Sequence, residues 1–309
     1  MSAYSHNSLM TEDTATIIAT YSRLMRLRFA TGEEVHARIK GKRIKAVCGD
    51  LVTAKPIANE DDWLITEINE RKNKLTRQNV GGQIEVLAAN IDALIIVASV
   101  SPLPDWYIVD RYLCAAELMG VLPIIVFNKI DLLQEHDIKI IELQEYQDIG
   151  LTIIECSAKT GEGTGDILES LGNQCGIIVG QSGVGKSSLI NQLVGDSSQR
   201  TGNISAKSGE GKHTTANSIL ISLQEGGSLI DSPGVRDYAP ALSSVTDAAV
   251  GFREIADAAQ SCRFTNCRHL REPGCAIKEA VNSGSISYRR YDSFKRVVRL
   301  TEKLMEKNY

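Results

Sequence analysis

The chain has 309 residues, 43% hydrophobic and 23% charged, enough for two or three packed domains and unlike a disordered polymer. The formal net charge is −4 and the cysteine count is seven, which excludes a uniformly basic nucleic-acid binder and makes a poor disulfide framework. No run approaches the roughly 20 apolar residues of a membrane span, and no basic segment precedes an apolar stretch at the start, so the expected location is cytoplasmic and no membrane partner is expected.

Residues 1–22 are polar and without repeating pattern, and read as a flexible tail. Residues 23–80 read as short strands: VHARIKG and KRIKAVCGDLVTAK alternate apolar and polar, Gly49-Asp50 marks a turn, and DDWLITEI follows. About five strands fit a small β-barrel, either OB-like or SH3-like by strand counting alone. From 81 to 240, apolar runs alternate with helical stretches: DALIIVASV, VLPIIVFNK, LTIIECSAK, CGIIVGQSG, SILISL and GSLIDSPG. Such a pattern predicts a parallel sheet covered on both faces, with ligands at the carboxyl ends of its strands. Residues 241–309 lack strands. They predict a helix near 246–260, a Cys/His cluster, and a basic amphipathic helix over 287–308. Cys48, Cys114, Cys156 and Cys175 sit in apolar surroundings and read as core.

Charge is unevenly spread. Eleven Lys and Arg face five Asp and Glu from Cys262 onward, and nine face three between Arg23 and Lys55. Two basic ends around an acidic middle suggest a polyanionic partner held by both.

Gly180-Gln-Ser-Gly-Val-Gly185-Lys186-Ser187 matches G-x-x-x-x-G-K-S/T. In such a loop backbone N–H groups curl around phosphates, Lys186 reaches the β- and γ-phosphates, and Ser187 offers a hydroxyl to Mg²⁺. Gln181, Ser182, Gly183, Val184 and Ser188 complete the expected contacts. The strand GIIV leads in and the helix KSSLINQLV leads out, adding its positive N-terminal end.

Asn128-Lys129-Ile130-Asp131 ends another strand. The Asp131 carboxylate can accept both guanine N1–H and the exocyclic amine, a donor pair that adenine lacks, so the site discriminates by leaving a buried charge unpaired. Asn128 can reach the other guanine edge, and the Lys129 stem can cover the base. Ser157-Ala158-Lys159 after the next strand completes a guanine pocket. Asp231-Ser-Pro-Gly234 fits D-x-x-G, with Asp231 on Mg²⁺ through water and the Gly234 N–H at the γ-phosphate. One of Thr214 and Thr215 should complete the Mg²⁺ shell.

The order of these elements is permuted. An ordinary GTPase presents phosphate loop, threonine switch, D-x-x-G, N-K-x-D and S-A-K. Here N-K-x-D and S-A-K come first, so the same strands are joined at different points. With this order, the Lys212-His213-Thr214-Thr215 signature, the barrel and the Cys/His cluster, the chain from about residue 23 onward resembles the RsgA (YjeQ) family of circularly permuted, small-ribosomal-subunit-dependent GTPases. The resemblance implies an OB-fold domain (23–80), a permuted α/β P-loop GTPase domain (81–240) and a C-terminal helical zinc-binding domain (241–309). It further implies GTP hydrolysis in late maturation of the small ribosomal subunit, with the subunit and its rRNA as partners. A monomer is the default. A GTP-gated RNA-binding module with incidental hydrolysis is the alternative, and Asp131 opposes an ATPase.

Val235 occupies the position where Ras-like enzymes carry a water-orienting glutamine. His213, beside the threonine switch, is the expected catalytic group, and the resemblance points to it too. Cys262-x₄-Cys267-x-His269-x₅-Cys275 supplies three thiolates and one imidazole, suited to one closed, tetrahedral, structural zinc. Arg263, Arg268 and Arg271 lie between these ligands and are available to phosphates or simply to solvent.

Overall fold

The computed structural model describes residues 12–22, 24–39, 45–78, 83–135, 140–195, 218–232, 242 and 244–306. The expected Lys212-His213-Thr214-Thr215 signature and Gly234 lie outside them.

Five strands form the barrel: β1 (Asp13–Thr20), β2 (Met25–Phe29), β3 (Glu34–Ile39), β4 (Leu51–Pro56) and β5 (Trp63–Ile68). They run in the order β1-β2-β3-β5-β4, with β1 also paired to β4, which closes the sheet. Only β3–β5 is parallel among these pairs. This is a five-stranded barrel of the OB type. Ile17, Leu27, Ala37, Val52 and Ile65 fill it with no solvent exposure.

The flexible tail expected over residues 1–22 is corrected here, because β1 begins at Asp13. Its register shifts between Ile17 and Ala19, and all four residues from Ile17 to Thr20 are buried. Ile17 faces the barrel core, whereas Ile18 packs in the core of the next domain. A strand buried on both faces shows no alternation, which is why its sequence reads as patternless.

A hairpin of β6 (Lys74–Gln78) and β7 (Ile84–Ala89) follows. A domain boundary at 80/81 would cut through this hairpin, so the sequence-based boundary is also corrected. Leu75 and Leu87 pack into the core of the α/β domain.

The α/β domain contains β8 (Ala93–Ser99), α1 (Trp106–Met119), β9 (Leu122–Asn128), a 3₁₀ turn (Ile130–Glu135), α2 (Ile141–Asp148), β10 (Thr152–Cys156), α3 (Thr164–Leu171), β11 (Cys175–Gly180), α4 (Lys186–Val194), β12 (Ser218–Ser222) and β13 (Ser228–Asp231). Strand order is β10-β9-β8-β11-β13-β12. All neighbours are parallel except β12, which runs antiparallel to β13 rather than parallel as the sequence pattern suggested. β8 is buried along its whole length, as the continuous apolar run requires. Residues of α1 and α2 pack on one face and those of α3 and α4 on the other. β12 then pairs with β1, so the barrel and the α/β domain share one eleven-stranded sheet.

The C-terminal module is helical: α5 (Val245–Val250), α6 (Arg253–Ala259), α7 (Ala276–Asn282) and α8 (Tyr288–Glu306). The single helix expected near 246–260 is two, separated at Gly251-Phe252. A Cβ on Gly251 would lie 2.3 Å from Cys114 Cα, so α5 reaches α1 only because that residue has no side chain. Phe252, Ile255, Phe294, Val297 and Val298 form the module's core together with Cys114 of α1.

Buried charges join this module to α1 and α2. Asp110 on α1 is fully buried. Its Oδ1 accepts from Arg290 Nη1 at 2.6 Å and from the Tyr146 hydroxyl at 2.7 Å, and its Oδ2 from Arg289 Nη1 at 3.1 Å. Arg290 also forks onto Glu254 at 2.8 and 3.1 Å, and Arg289 Nε reaches Glu145 at 2.7 Å. Burial, with the Asp110 carboxylate beside it, holds the Tyr146 phenol well above its ordinary value. Removing one member strands the rest, so Arg290→Ala should cost about 3–5 kcal/mol. Urea unfolding measures this, and a loss under about 1 kcal/mol would show that the charges do not hold the module.

Candidate nucleotide and metal sites

The five parallel strands bring their carboxyl ends to one edge of the sheet. The loops after β8, β9, β10, β11 and β13 therefore converge, whatever their order along the chain. The loop from Gln181 to Gly185 leaves β11 beside β8 and β13 and enters α4 at Lys186. Ser182 and Gly183 are exposed at its tip, and Ser187 and Ser188 are exposed in the first turn of α4. Val184 is fully buried beneath. Lys186 Nζ donates to the carbonyls of Gly180 at 2.8 Å and Gln181 at 2.7 Å, inside the concave face.

Asn128 ties the loops together. It is 1% exposed. Its Nδ2 donates to Val184 O at 2.9 Å, and its Oδ1 accepts the Ala158 N–H at 2.9 Å. The amide expected at a guanine edge is thus engaged in joining N-K-x-D, the phosphate loop and S-A-K. Gly185 makes this approach possible: its φ is +94°, and a Cβ there would lie 2.5 Å from Asn128 Nδ2. Lys129, itself at φ +67°, stretches its amine to Gly183 O at 2.8 Å and Ser101 O at 2.5 Å. Its stem therefore lies across the loop, positioned to cover a planar base.

Asp131 is the second residue of the 3₁₀ turn, after Ile130. Its Oδ1 accepts from the buried Ser157 hydroxyl at 2.6 Å. Ser157 Oγ also accepts the Thr160 N–H, which fixes its direction. Lys159 Nζ lies 3.8 Å from Asp131 Oδ2, but it is 81% exposed and contributes little. A carboxylate anchored at one oxygen and mostly shielded from water can meet a two-donor edge. Asp231 ends β13, where burial raises its carboxyl above the usual range and Lys186 opposes that shift. Ser218 Oγ, at the start of β12, donates to Ser232 Oγ at 3.0 Å.

One participant was not read from the sequence. The loop after β8, Ser101-Pro102-Leu103-Pro104, leans on the phosphate loop: Ser101 O accepts from Lys129, Pro102 approaches Gly183, and the Asp105 N–H donates to Gln181 Oε1 at 3.1 Å. Its two prolines between a strand and a helix were the available signal.

Cys262, Cys267, His269 and Cys275 come together with all ligand atoms within 4.8 Å of one another. His269 Nδ1 lies 3.4 Å from Cys262 Sγ and 3.7 Å from Cys275 Sγ, and the two sulfurs are 4.0 Å apart. Zinc bonds of about 2.0–2.3 Å in tetrahedral array require ligand separations of roughly 3.3–3.8 Å; both imidazole–sulfur separations lie in that range and the sulfur pair just beyond it, so a small contraction of the cluster fits that ion. The loop is held from outside. Glu272 accepts backbone N–H groups of Arg268, Leu270 and Arg271, and these with its own N–H lower its carboxyl to about 2. The Tyr291 hydroxyl donates to His269 O at 2.7 Å. Arg268, expected to be available to phosphates, is instead paired with Glu302.

A family model described as RsgA GTPase matches residues 68–240. The small ribosomal subunit biogenesis GTPase RsgA of Haemophilus influenzae strain 86-028NP is 39% identical over 288 residues, covering 91% of this chain and 83% of its own. That of Shewanella oneidensis is 37% identical over 302 residues, covering 94% and 84%. The crystal structure of YjeQ from Thermotoga maritima is similar, with TM-score 0.74 and 29% identity, covering 94% of this chain and 99% of that one. YloQ, a circularly permuted GTPase, shares the fold at TM-score 0.69 and 24% identity, covering 97% and 98%.

Two outcomes follow. Asp131→Asn turns an acceptor into a donor. Guanine-nucleotide affinity should fall on the order of 100-fold or more, while xanthine nucleotides, which present a carbonyl there, should bind the variant better; titration with both nucleotides checks this. Metal analysis should find one zinc per chain. Stripping it with a chelator should lower the module's unfolding midpoint by about 10 °C or more. An unchanged midpoint would leave the four ligands without a structural ion.

Proposed function

Because the chain belongs to the RsgA GTPase family, we propose that it hydrolyses GTP on the small ribosomal subunit late in its maturation, its nucleotide state controlling its hold on the subunit's RNA. That it is a GTPase of ribosome biogenesis follows from the family. The observation carrying the site assignment is the Asn128 junction, which sets three loops around one space beside Asp131.

In this reading Lys186 exchanges the Gly180 and Gln181 carbonyls for β- and γ-phosphate oxygens. The backbone from Gln181 to Ser188 supplies N–H donors, with the start of α4 adding its dipole. Asp131 accepts from the guanine edge with Ser157 behind it, the Ala158 and Lys159 loop closes the pocket, and the Lys129 stem covers the base. Mg²⁺, when bound with GTP, neutralises charge on the β- and γ-phosphates. Ser187, Asp231 and one of Thr214 and Thr215 would hold it. Gly234 and His213 enter from the sequence alone: Gly234 offers an N–H to the γ-phosphate, and His213 orients the attacking water in place of the missing glutamine.

A chain with valine at the glutamine position should turn over slowly alone and faster on its partner. Hydrolysis should be stimulated by isolated small subunits and not by large ones, with ATP inert. His213→Ala should reduce stimulated turnover on the order of 100-fold while sparing GTP binding. The form bound to a non-hydrolysable GTP analogue should bind the subunit about tenfold more tightly than the GDP form. Equal affinities would favour another role for the switch, and absence of stimulation would remove the subunit as activator.

A further inference from the structure

The start of α1 is held from two sides, by the phosphate loop ahead of it and by α8 along its flank. We propose that Arg289 and Trp106 are positioning residues for nucleotide binding: through them the C-terminal module fixes the first turn of α1, and that turn orders the phosphate loop through Gln181. The inference rests on the reading of that loop as a nucleotide site, and it adds a dependence of the site on the metal-bearing module.

Trp106 and Asp110 lie one helical turn apart and share a face of α1. Both meet the same two side chains. The Trp106 ring is 5.7 Å from that of Tyr146, and the Arg289 guanidinium lies 4.9 Å from the Tyr146 centroid and 5.9 Å from that of Trp106. The Tyr146 hydroxyl and Arg289 Nη1 also donate to Asp110. On the neighbouring face the Arg296 guanidinium sits 3.8 Å from the Tyr107 centroid. Farther along, Glu117 pairs with Arg253 at 2.6 Å and Cys114 abuts Gly251. Helix α1 is thus seated on the module along its length, and its first turn cannot rotate or slide without breaking contacts at residues 106, 107 and 110.

The residue just ahead of that turn touches the phosphate loop. The Asp105 N–H donates to Gln181 Oε1 at 3.1 Å, and the Asp105 carboxylate caps α1 by accepting the Tyr107 N–H. Three residues earlier, Pro102 stands against the loop tip, where a Cβ on Gly183 would lie 3.4 Å from its Cδ. Close packing does not complete this junction. A cavity of about 10 Å³, room for about one water, lies beneath it among Ala98, Pro104, Ile108 and Gly180. The Gln181 side chain is therefore held by its hydrogen bond, and the donor of that bond is held by the grip of α8 on the next residue.

The loop gains from being held. Gly180, Gly183 and Gly185 adopt φ of +140°, +83° and +94°, and a glycine loses much freedom on entering one conformation. A tie that orders the loop before phosphate arrives removes that cost from binding. Gln181 is suited to the task because its carbonyl accepts from Lys186 at 2.7 Å while its side chain reaches Asp105. One residue joins the phosphate-binding lysine to α1. A hydrogen bond of this kind corresponds to about fivefold in affinity.

The test is a double-mutant cycle of Gln181→Ala and Arg289→Gln in the full zinc-loaded chain. GDP affinity is measured by calorimetry, well below each variant's unfolding midpoint. Each single variant should bind GDP about fivefold more weakly. The double variant should bind no more weakly than either one, because both substitutions cut the same link. Trp106→Leu should repeat the Arg289→Gln loss, and Trp106→Tyr, which keeps a ring against Tyr146, should bind within about twofold of the parent. If Arg289→Gln does not fold, Trp106→Leu takes its place in the cycle with the same expectations. Losses that multiply to about 25-fold in the double variant would overturn the proposal, since a variant that merely loosens the fold acts independently of Gln181. Parent affinity in both Arg289→Gln and Trp106→Leu would overturn it as well. A parent chain that binds no GDP would remove the functional reading and this inference with it, whereas GDP binding with multiplying losses removes this inference alone.

Discussion

One buried carboxamide organises the nucleotide site. Asn128 holds Val184 O with its nitrogen and the Ala158 N–H with its oxygen. Those partners lie 56 positions and 30 positions away in the chain. The loops thus meet through one side chain although they are far apart along the chain. A carboxamide suits this junction because it offers a donor and an acceptor without a charge, and its burial is tolerable because both ends are used. Gly185 must then lack a Cβ, and Lys129 must enter the left-handed region for its amine to reach over the loop.

The shared sheet links this site to the barrel. β12 begins directly after the segment that carries Thr214 and Thr215 and lies between β13 and β1. Its first residue bonds to Ser232, next to Asp231, and its last, Ser222, accepts from Arg28 on β2 at 2.7 Å. Ala19 and Thr20 of β1 pair with Ile219 and Ser218. A displacement of β12 would therefore have to move barrel strands or break these bonds.

Legibility from sequence divided along chemical lines. The phosphate-loop, N-K-x-D and S-A-K motifs and the Cys/His cluster stood out in the sequence because each places particular side chains at fixed spacing. The parallel strands were readable because burial on both faces leaves continuous apolar runs, as in β8. The same double burial hid β1, whose short run TATIIAT carries small and hydroxylated residues and a register shift. Asp110, Glu145, Glu254, Arg289 and Arg290 were not legible at all. On helices such residues ordinarily face water, and nothing in their spacing reveals that they meet across four helices.

That buried network also bears on why α8 presents the face it does. Ion pairs taken out of water bring little net stability over a well-packed apolar contact, since desolvation offsets most of their attraction. What they add is direction. Arg289 and Arg290 are consecutive, so they leave the helix about 100° apart. Arg289 must reach Glu145 and Asp110, while Arg290 must reach Asp110 and Glu254. Only a narrow range of helix rotations satisfies both, because every failure strands a buried charge. Fixing the rotation at residues 289 and 290 fixes it along the helix. Tyr291 is then aimed at His269 in the metal loop, and Arg296 is set on the Tyr107 ring. An apolar seam could hold α8 as firmly, but it would leave that rotation to side-chain shape alone.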